Sequence, residues 1–452
     1  MRTRLVSVLG LGFGDCGKGL FVDSQTRRLG AHTVVRFNGG GQAGHNVVLP
    51  DGRHHTFSQF GAGSFVDGVC TVLAAPVVLH PGALLVEAQA LAHTGVADPL
   101  ARILIDARCA VSTPFHQAAG RLRELQRGAH AHGSCGIGFG ETVGHALAHP
   151  DQVLRFGELA DRTQVEAKLE AIRYTLLALF AAHPADTPAS RTELAALRDA
   201  SLARRWLAQI APLLARVAPA SADALGARLH RPGAVLFEGA QGVLLDEARG
   251  FHPHTTWSSI STAAVEAAAR ELGQPAPIEH YGVLRSYLTR HGAGPLPSFD
   301  PRLNAGGVLP EPHNGANSGA GWQGAFRCGH PDVILLRYAL AVVGPLHGLL
   351  VSHLDVFERG VPLHWCEAYD IDADGDRVRI GGIVPGRAGD LEHQARLTAL
   401  LQGATPRYRR APIRSADQFI GEVREITGPP VRLRARGPTW EQVTAPQDGS
   451  LL

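Results

Sequence analysis

The chain has 452 residues, 45% of them hydrophobic and 19% charged, and its 43 Lys and Arg against 41 Asp and Glu leave a net charge of +2 with histidine neutral. This length accommodates one large α/β domain or two ordinary ones, and the balanced charge excludes a dedicated binder of polyanions. Cys16, Cys70, Cys109, Cys135, Cys328 and Cys366 lie far apart with no C-x-x-C pair, which argues against a zinc ribbon and a disulfide scaffold.

In chain order, Leu5-Val6-Ser7-Val8-Leu9-Gly10 predicts a first strand. The apolar run that continues to Leu11 is too short and too glycine-interrupted for a secretory segment, and no apolar stretch reaches the roughly 18 residues of a membrane span. The expectation is a cytoplasmic protein that binds neither nucleic acid nor membrane. Gly12-Phe13-Gly14-Asp15-Cys16-Gly17-Lys18-Gly19 follows, and Lys18 is one of only two lysines, the other being Lys168. Glycines let backbone amides crowd an anion, and a lysine adds a compact charge suited to phosphate oxygens. The order strand, glycine loop, helix predicts a nucleotide-phosphate site, although Gly19-Leu20 after Lys18 departs from a Walker A loop. A carboxylate in such a loop repels phosphate unless it holds Mg²⁺ or takes a proton from substrate; alternatively Asp15 caps the helix starting near Gly17.

Thr33 to Phe37 predicts a second strand running into Asn38-Gly39-Gly40-Gly41-Gln42-Ala43-Gly44-His45. Two glycine loops at the ends of adjacent strands imply one shared site, and His45 there can serve an oxygen that gains charge. Further strands are predicted at 71–73, 103–105, 234–237, 281–284 and 349–352, with helices over 81–93, 165–183 and 191–217. The alternation predicts a mainly parallel sheet flanked by helices, in a single domain over 1–452 with a helical subdomain at 150–230 and a Gly/Pro/Asn-rich substrate loop at 298–330.

The two glycine loops together resemble those of the adenylosuccinate synthetase family, which read close to GDEGKGK and QGGHNAGH. The resemblance continues in order along nearly the whole chain: Phe237-Glu238-Gly239-Ala240-Gln241-Gly242 is similar to FEGAQG, Pro253 to Ser259 to YPYVTSS, Thr289-Arg290-His291-Gly292-Ala293-Gly294-Pro295 to TRVGAGP, and Leu354-Asp355-Val356 to the end of TKLDVL. Ile426-Thr427-Gly428 and Gly437-Pro438 are similar to the family's C-terminal region.

The resemblance implies a homodimeric carbon–nitrogen ligase that uses GTP and Mg²⁺ to phosphorylate the 6-oxygen of IMP, after which aspartate's amine displaces phosphate. It implies that Asp15 takes the N1 proton and touches Mg²⁺, that Gly44 offers a carbonyl to the metal, and that His45 stabilises the transferred phosphoryl. Gly14, Gly17, Lys18, Gly19, Gly44 and His45 would hold GTP phosphates. Asp355 would read guanine, with Gly437 shaping the base pocket. Gln42, Ser134, Gln241 and Thr256 would bind the substrate nucleotide, although Gln241 also reads as a buried amide pinning a strand end. His353 stands where the family has lysine.

Departures concentrate elsewhere. The family loop GATTGRRRRTGW corresponds to Gly319 through His330, where Gly324 and Arg327 mark the amine-substrate loop and only Arg327 remains of four arginines. Lost guanidinium clamps cost roughly 1.5–3 kcal/mol per charge-assisted bond to a dicarboxylate, whereas Trp322 and Phe326 would offer flat apolar surface. His132 to Gly140 departs from GTTGRGIGP, and Glu141 to His145 lacks the expected ARR. Two alternatives follow: a paralogue in specialised metabolism using another oxo substrate or amine, and a non-catalytic GTP-binding homologue, against which Asp15, Lys18 and His45 count.

Overall fold

The computed structural model describes residues 3–274, 277–304, 308–309, 321–373 and 375–446. A ten-stranded sheet organises the chain; its strands, identified by first residue, lie in the order 443, 431, 348, 278, 4, 234, 31, 70, 103, 219. Every neighbouring pair is parallel except the edge pair Val431–Ala435 with Val443–Thr444. Central strands such as Ala234–Glu238 and Gly348–Ser352 are buried along their whole length. That is why they read as continuous apolar runs: helices cover both faces of a parallel sheet. Alternate side chains feed two cores, with Leu5, Leu9, Val35 and Phe237 in one and Val6, Val8, Val34 and Leu236 in the other.

The predicted strands are all present within a few residues, and Pro81–His93 is helical as predicted. The helix read over 165–183 spans Arg162–Leu179, started by Asp161, whose side chain accepts from the Gln164 amide. The helix read over 191–217 is instead two, Pro188–Arg198 and Leu202–Leu214. Asp199 makes the break, because its carboxylate accepts from the Ser201 amide at 2.8 Å and the Ser201 hydroxyl at 2.6 Å, a local turn that competes with helix.

A second correction matters more for function. The strands Arg4–Gly10 and Ala31–Arg36, expected to be adjacent, are separated by Ala234–Glu238, which pairs with both. The inserted strand delivers Glu238 and Gln241 between the two glycine loops. Two hairpins extend this end of the sheet: His45–Val48 with His54–Phe57, and Leu288–His291 with Phe326–Gly329. Of the substrate loop read over 298–330, residues 305–307 and 310–320, including Gly319 and Ala320, lie outside the described residues.

Candidate active site

The loop after Arg4–Gly10 opens at the C-terminal end of the parallel strands, where ligands of open α/β sheets gather. The helix Lys18–Leu29 begins directly after it with Gly17 as N-cap, at φ 88° and without a side-chain cap bond. Asp15 is therefore not the cap. Its own backbone is left-handed, at φ 41°, a conformation that costs a non-glycine residue roughly 1–2 kcal/mol. Arg285 helps hold it there, Nη1 donating to the Asp15 carbonyl oxygen at 2.5 Å. A Cβ on Gly17 would stand 2.9 Å from that of Ser352, and one on Gly19 2.6 Å from the Asn46 carbonyl oxygen. The loop is thus clamped between a sheet strand and the hairpin that starts at His45, and only glycine fits. Ser352 closes the clamp, its hydroxyl donating to the Cys16 carbonyl at 2.7 Å.

Lys18 is 3% exposed, and its Nζ donates to the Gln241 carbonyl at 2.5 Å. The turn that carries Asp15 and Lys18 packs against His45, a Cβ on Gly19 standing 3.0 Å from the His45 carbonyl carbon. Surrounding protein disfavours a charged Asp15, but the contact with His291, and the charges of His291, Arg285 and Lys18, outweigh this and hold its carboxyl below the usual range.

His45 is buried, with Nδ1 2.5 Å from Glu238 Oε1. The other Glu238 oxygen accepts from the Ala62 amide at 2.9 Å. Burial works against the Glu238 charge, and Arg36 and His45 overcome it. Burial also lowers the His45 pKa to about 4 in spite of Glu238, so the imidazole is neutral near pH 7. A carboxylate at Nδ1 selects the Nδ1–H tautomer and leaves the Nε2 lone pair free; Nε2 is buried with no partner among the described residues. Glu238 is the site residue that sequence reasoning passed over. A carboxylate ending the apolar run Ala234-Val235-Leu236-Phe237 was the available signal.

Gln42 and Gln241 flank Gly39 and Gly40, and both amide ends of each are buried without a partner among the described residues. Gln241 is at φ 50°. An unmet buried polar group costs about 1–3 kcal/mol, so two free amides favour a ligand rich in donors and acceptors. The Thr256 amide donates to the Leu245 carbonyl at 2.8 Å, tying that segment to the turn after Gln241. Asp355 and Gly437 follow the ends of the neighbouring strands Gly348–Ser352 and Val431–Ala435. Burial raises the Asp355 pKa, and Arg359 lies 3.9 Å away. His353 is half-buried, its pKa lowered by desolvation, and it bonds the Ser352 hydroxyl at 2.8 Å.

The remaining predicted residues lie on looser ground. Gly14 and Gly44 line the open side of the loops, Ser134 is exposed, and Gly324 is at φ 75°. Arg327 donates from Nη2 to the Gly294 carbonyl at 2.5 Å and lies over the Phe299 ring, while its Nε is buried with no partner among the described residues. Phe326 is only 9% exposed, so its ring is taken up by packing and not offered as surface. Trp322 packs on Gly136, with Arg121 5.7 Å from its ring centre. Among the described residues no group of three His, Cys, Asp or Glu could hold a metal. Mg²⁺ fits nonetheless, because it binds through one or two protein oxygens plus phosphates and water, and the Asp15 carboxylate opens into the cleft. No helix among the described residues is long and apolar enough to cross a membrane.

A parallel sheet flanked by helices, with a lysine-bearing glycine loop at a helix start, gives the chain the architecture of an α/β enzyme. A sequence profile of the adenylosuccinate synthetase family matches residues 7–444, and the chain belongs to that family of GTP-dependent carbon–nitrogen ligases. It is 33% identical over 438 residues to the adenylosuccinate synthetase of Myxococcus xanthus and 30% identical over 454 residues to that of Proteus mirabilis, covering 94% and 96% of each pair of chains. The fold matches the fully ligated adenylosuccinate synthetase of Plasmodium falciparum with TM-score 0.74 at 19% identity, over 98% of this chain and 100% of that one. It also matches the cyanophage S-2L succinoaminodeoxyadenylate synthetase, a structure bound to dGMP and dATP, with TM-score 0.61 at 15% identity, over 98% and 96%.

Proposed function

We propose that the protein transfers the γ-phosphoryl of GTP to the 6-oxygen of IMP or a related oxo-purine nucleotide, after which an amine displaces phosphate and GDP is released. The observation that carries this reading is the packing of the turn bearing Asp15 and Lys18 against His45. Asp15, held ionised, accepts the N1 proton and makes the 6-oxygen nucleophilic. Lys18 and the loop amides orient the phosphates. His45 presents Nε2; phosphoryl charge beside it favours imidazolium, with Glu238 holding Nδ1–H, so that Nε2–H donates to a phosphoryl oxygen. Bound Mg²⁺, held by Asp15 and the Gly44 carbonyl, would neutralise phosphate charge. Asp355 accepts the guanine donors, and Gln42, Gln241, Thr256 and Ser134 serve the substrate nucleotide.

A second reading concerns the amine. The missing arginines at 324–326 favour a nucleophile other than a dicarboxylate. Incubation with GTP, Mg²⁺ and IMP, with and without aspartate, tests both readings through GDP release and product mass. A succinyl adduct supports the aspartate ligase. GDP release without an adduct supports another amine, and no IMP-dependent GDP release refutes the phosphorylation step.

A further inference from the structure

The side chains that touch Asp15 include one that neither glycine loop supplies. His291 ends the strand Leu288–His291, and its Nε2 lies 3.4 Å from Asp15 Oδ2. The His291 side chain is 19% exposed, and Nδ1 is buried with no partner among the described residues. Within the hairpin His291 is paired in register with Phe326, the ring centres 4.9 Å apart at 58°. Both positions depart from the family pattern, which has valine in TRVGAGP and arginine in the later loop. The two departures meet across one hairpin: one supplies a ring nitrogen to the acid, and the other supplies the surface that fixes that ring.

We propose that His291 is a positioning residue for Asp15, its Nε2–H facing Oδ2 and limiting the rotation of the carboxylate, with Phe326 setting the imidazole's orientation. The Asp15 backbone is left-handed, and Arg285 donates to its carbonyl oxygen. The Asp15 side chain stands in the cleft mouth, where it is 42% exposed.

This inference rests on the functional reading above, and the test separates the two. GTP labelled with ¹⁸O at the βγ bridge is incubated with full-length enzyme, Mg²⁺ and IMP but no amine; scrambling of the label reports reversible phosphoryl transfer. His291→Val is expected to slow scrambling about tenfold to a hundredfold, the usual loss for an orienting partner, with the KM for GTP within about twofold of wild type. His291→Gln, which keeps a donor, is expected to recover at least about a third of the rate at an unchanged melting temperature. Phe326→Leu, which releases the ring but keeps the imidazole, is expected to fall about threefold to tenfold and serves if the valine variant does not fold. Wild-type scrambling in His291→Val, or equal losses in the valine and glutamine variants, overturns the positioning role alone. A wild-type enzyme that scrambles nothing overturns the functional reading and this inference with it.

Discussion

The loops that would grip phosphate and the loops that would receive the amine lie at the same end of one sheet, yet they are built differently. In the first group each element is tied to a strand from far away in sequence: Lys18 to Gln241, Cys16 to Ser352, His45 to Glu238. These ties are buried and short, and close contact at Gly17 and Gly19 leaves no room for a side chain. In the second group, Gly133, Gly292 and Gly324 approach one another mainly through backbone. Their side chains, Trp322 and Phe326 among them, pack onto neighbours instead of forming a charged network. A cross-linked site tolerates little change, because each substitution strands a buried polar partner. A site of glycine-rich loops can exchange arginine for aromatic residues without disturbing the sheet.

The sharpest way to break this comparison is Asp15→Asn. It keeps the shape of the loop but removes the base, and IMP-dependent GDP release is expected to fall at least about a thousandfold while GTP affinity, measured by titration, changes less than about fivefold. Glu238→Gln probes the tie beneath His45. The amide no longer stabilises imidazolium, and kcat is expected to drop about a hundredfold with the KM for GTP nearly unchanged.

On the other side, Trp322→Ala is expected to leave amine-independent phosphoryl scrambling within about threefold and to lower stability by about 1 kcal/mol in urea denaturation, since the ring is only partly buried. A large loss of scrambling would erase the proposed division.

The smallest effect is on stability against pH. The folded His45 has its pKa pushed by burial from 6.5 to about 4, so between those values the unfolded chain takes up a proton that the native state refuses. Stability therefore falls as pH is lowered through that window, and His45→Gln is expected to flatten the fall in melting temperature.

Much of this architecture was legible in the chain. Buried parallel strands must be apolar on both faces, so 5–10, 71–73, 103–105 and 349–352 announced themselves as short runs between turns. Glycine, acid and lysine at fixed spacing announced the phosphate loop because local backbone geometry alone makes that arrangement useful. The break at Asp199 was hidden, since leucine and alanine spacing continues through it and only a side-chain turn interrupts the helix. Glu238, Arg36 and Arg285 were hidden as functional partners because each reaches its target across the sheet.

The sequence by itself determined the parallel sheet, the phosphate loop and the family, all of which depend on residues close together in the chain or on motifs in fixed order. The tertiary structure decided what stands between the two glycine loops, which imidazole nitrogen faces the cleft, and which side chain touches Asp15. Those depend on strand order and on contacts between residues such as Asp15 and His291, or His45 and Glu238, that no local pattern links. Chain propensities act over a few residues, whereas burial and hydrogen-bond satisfaction act across the whole fold.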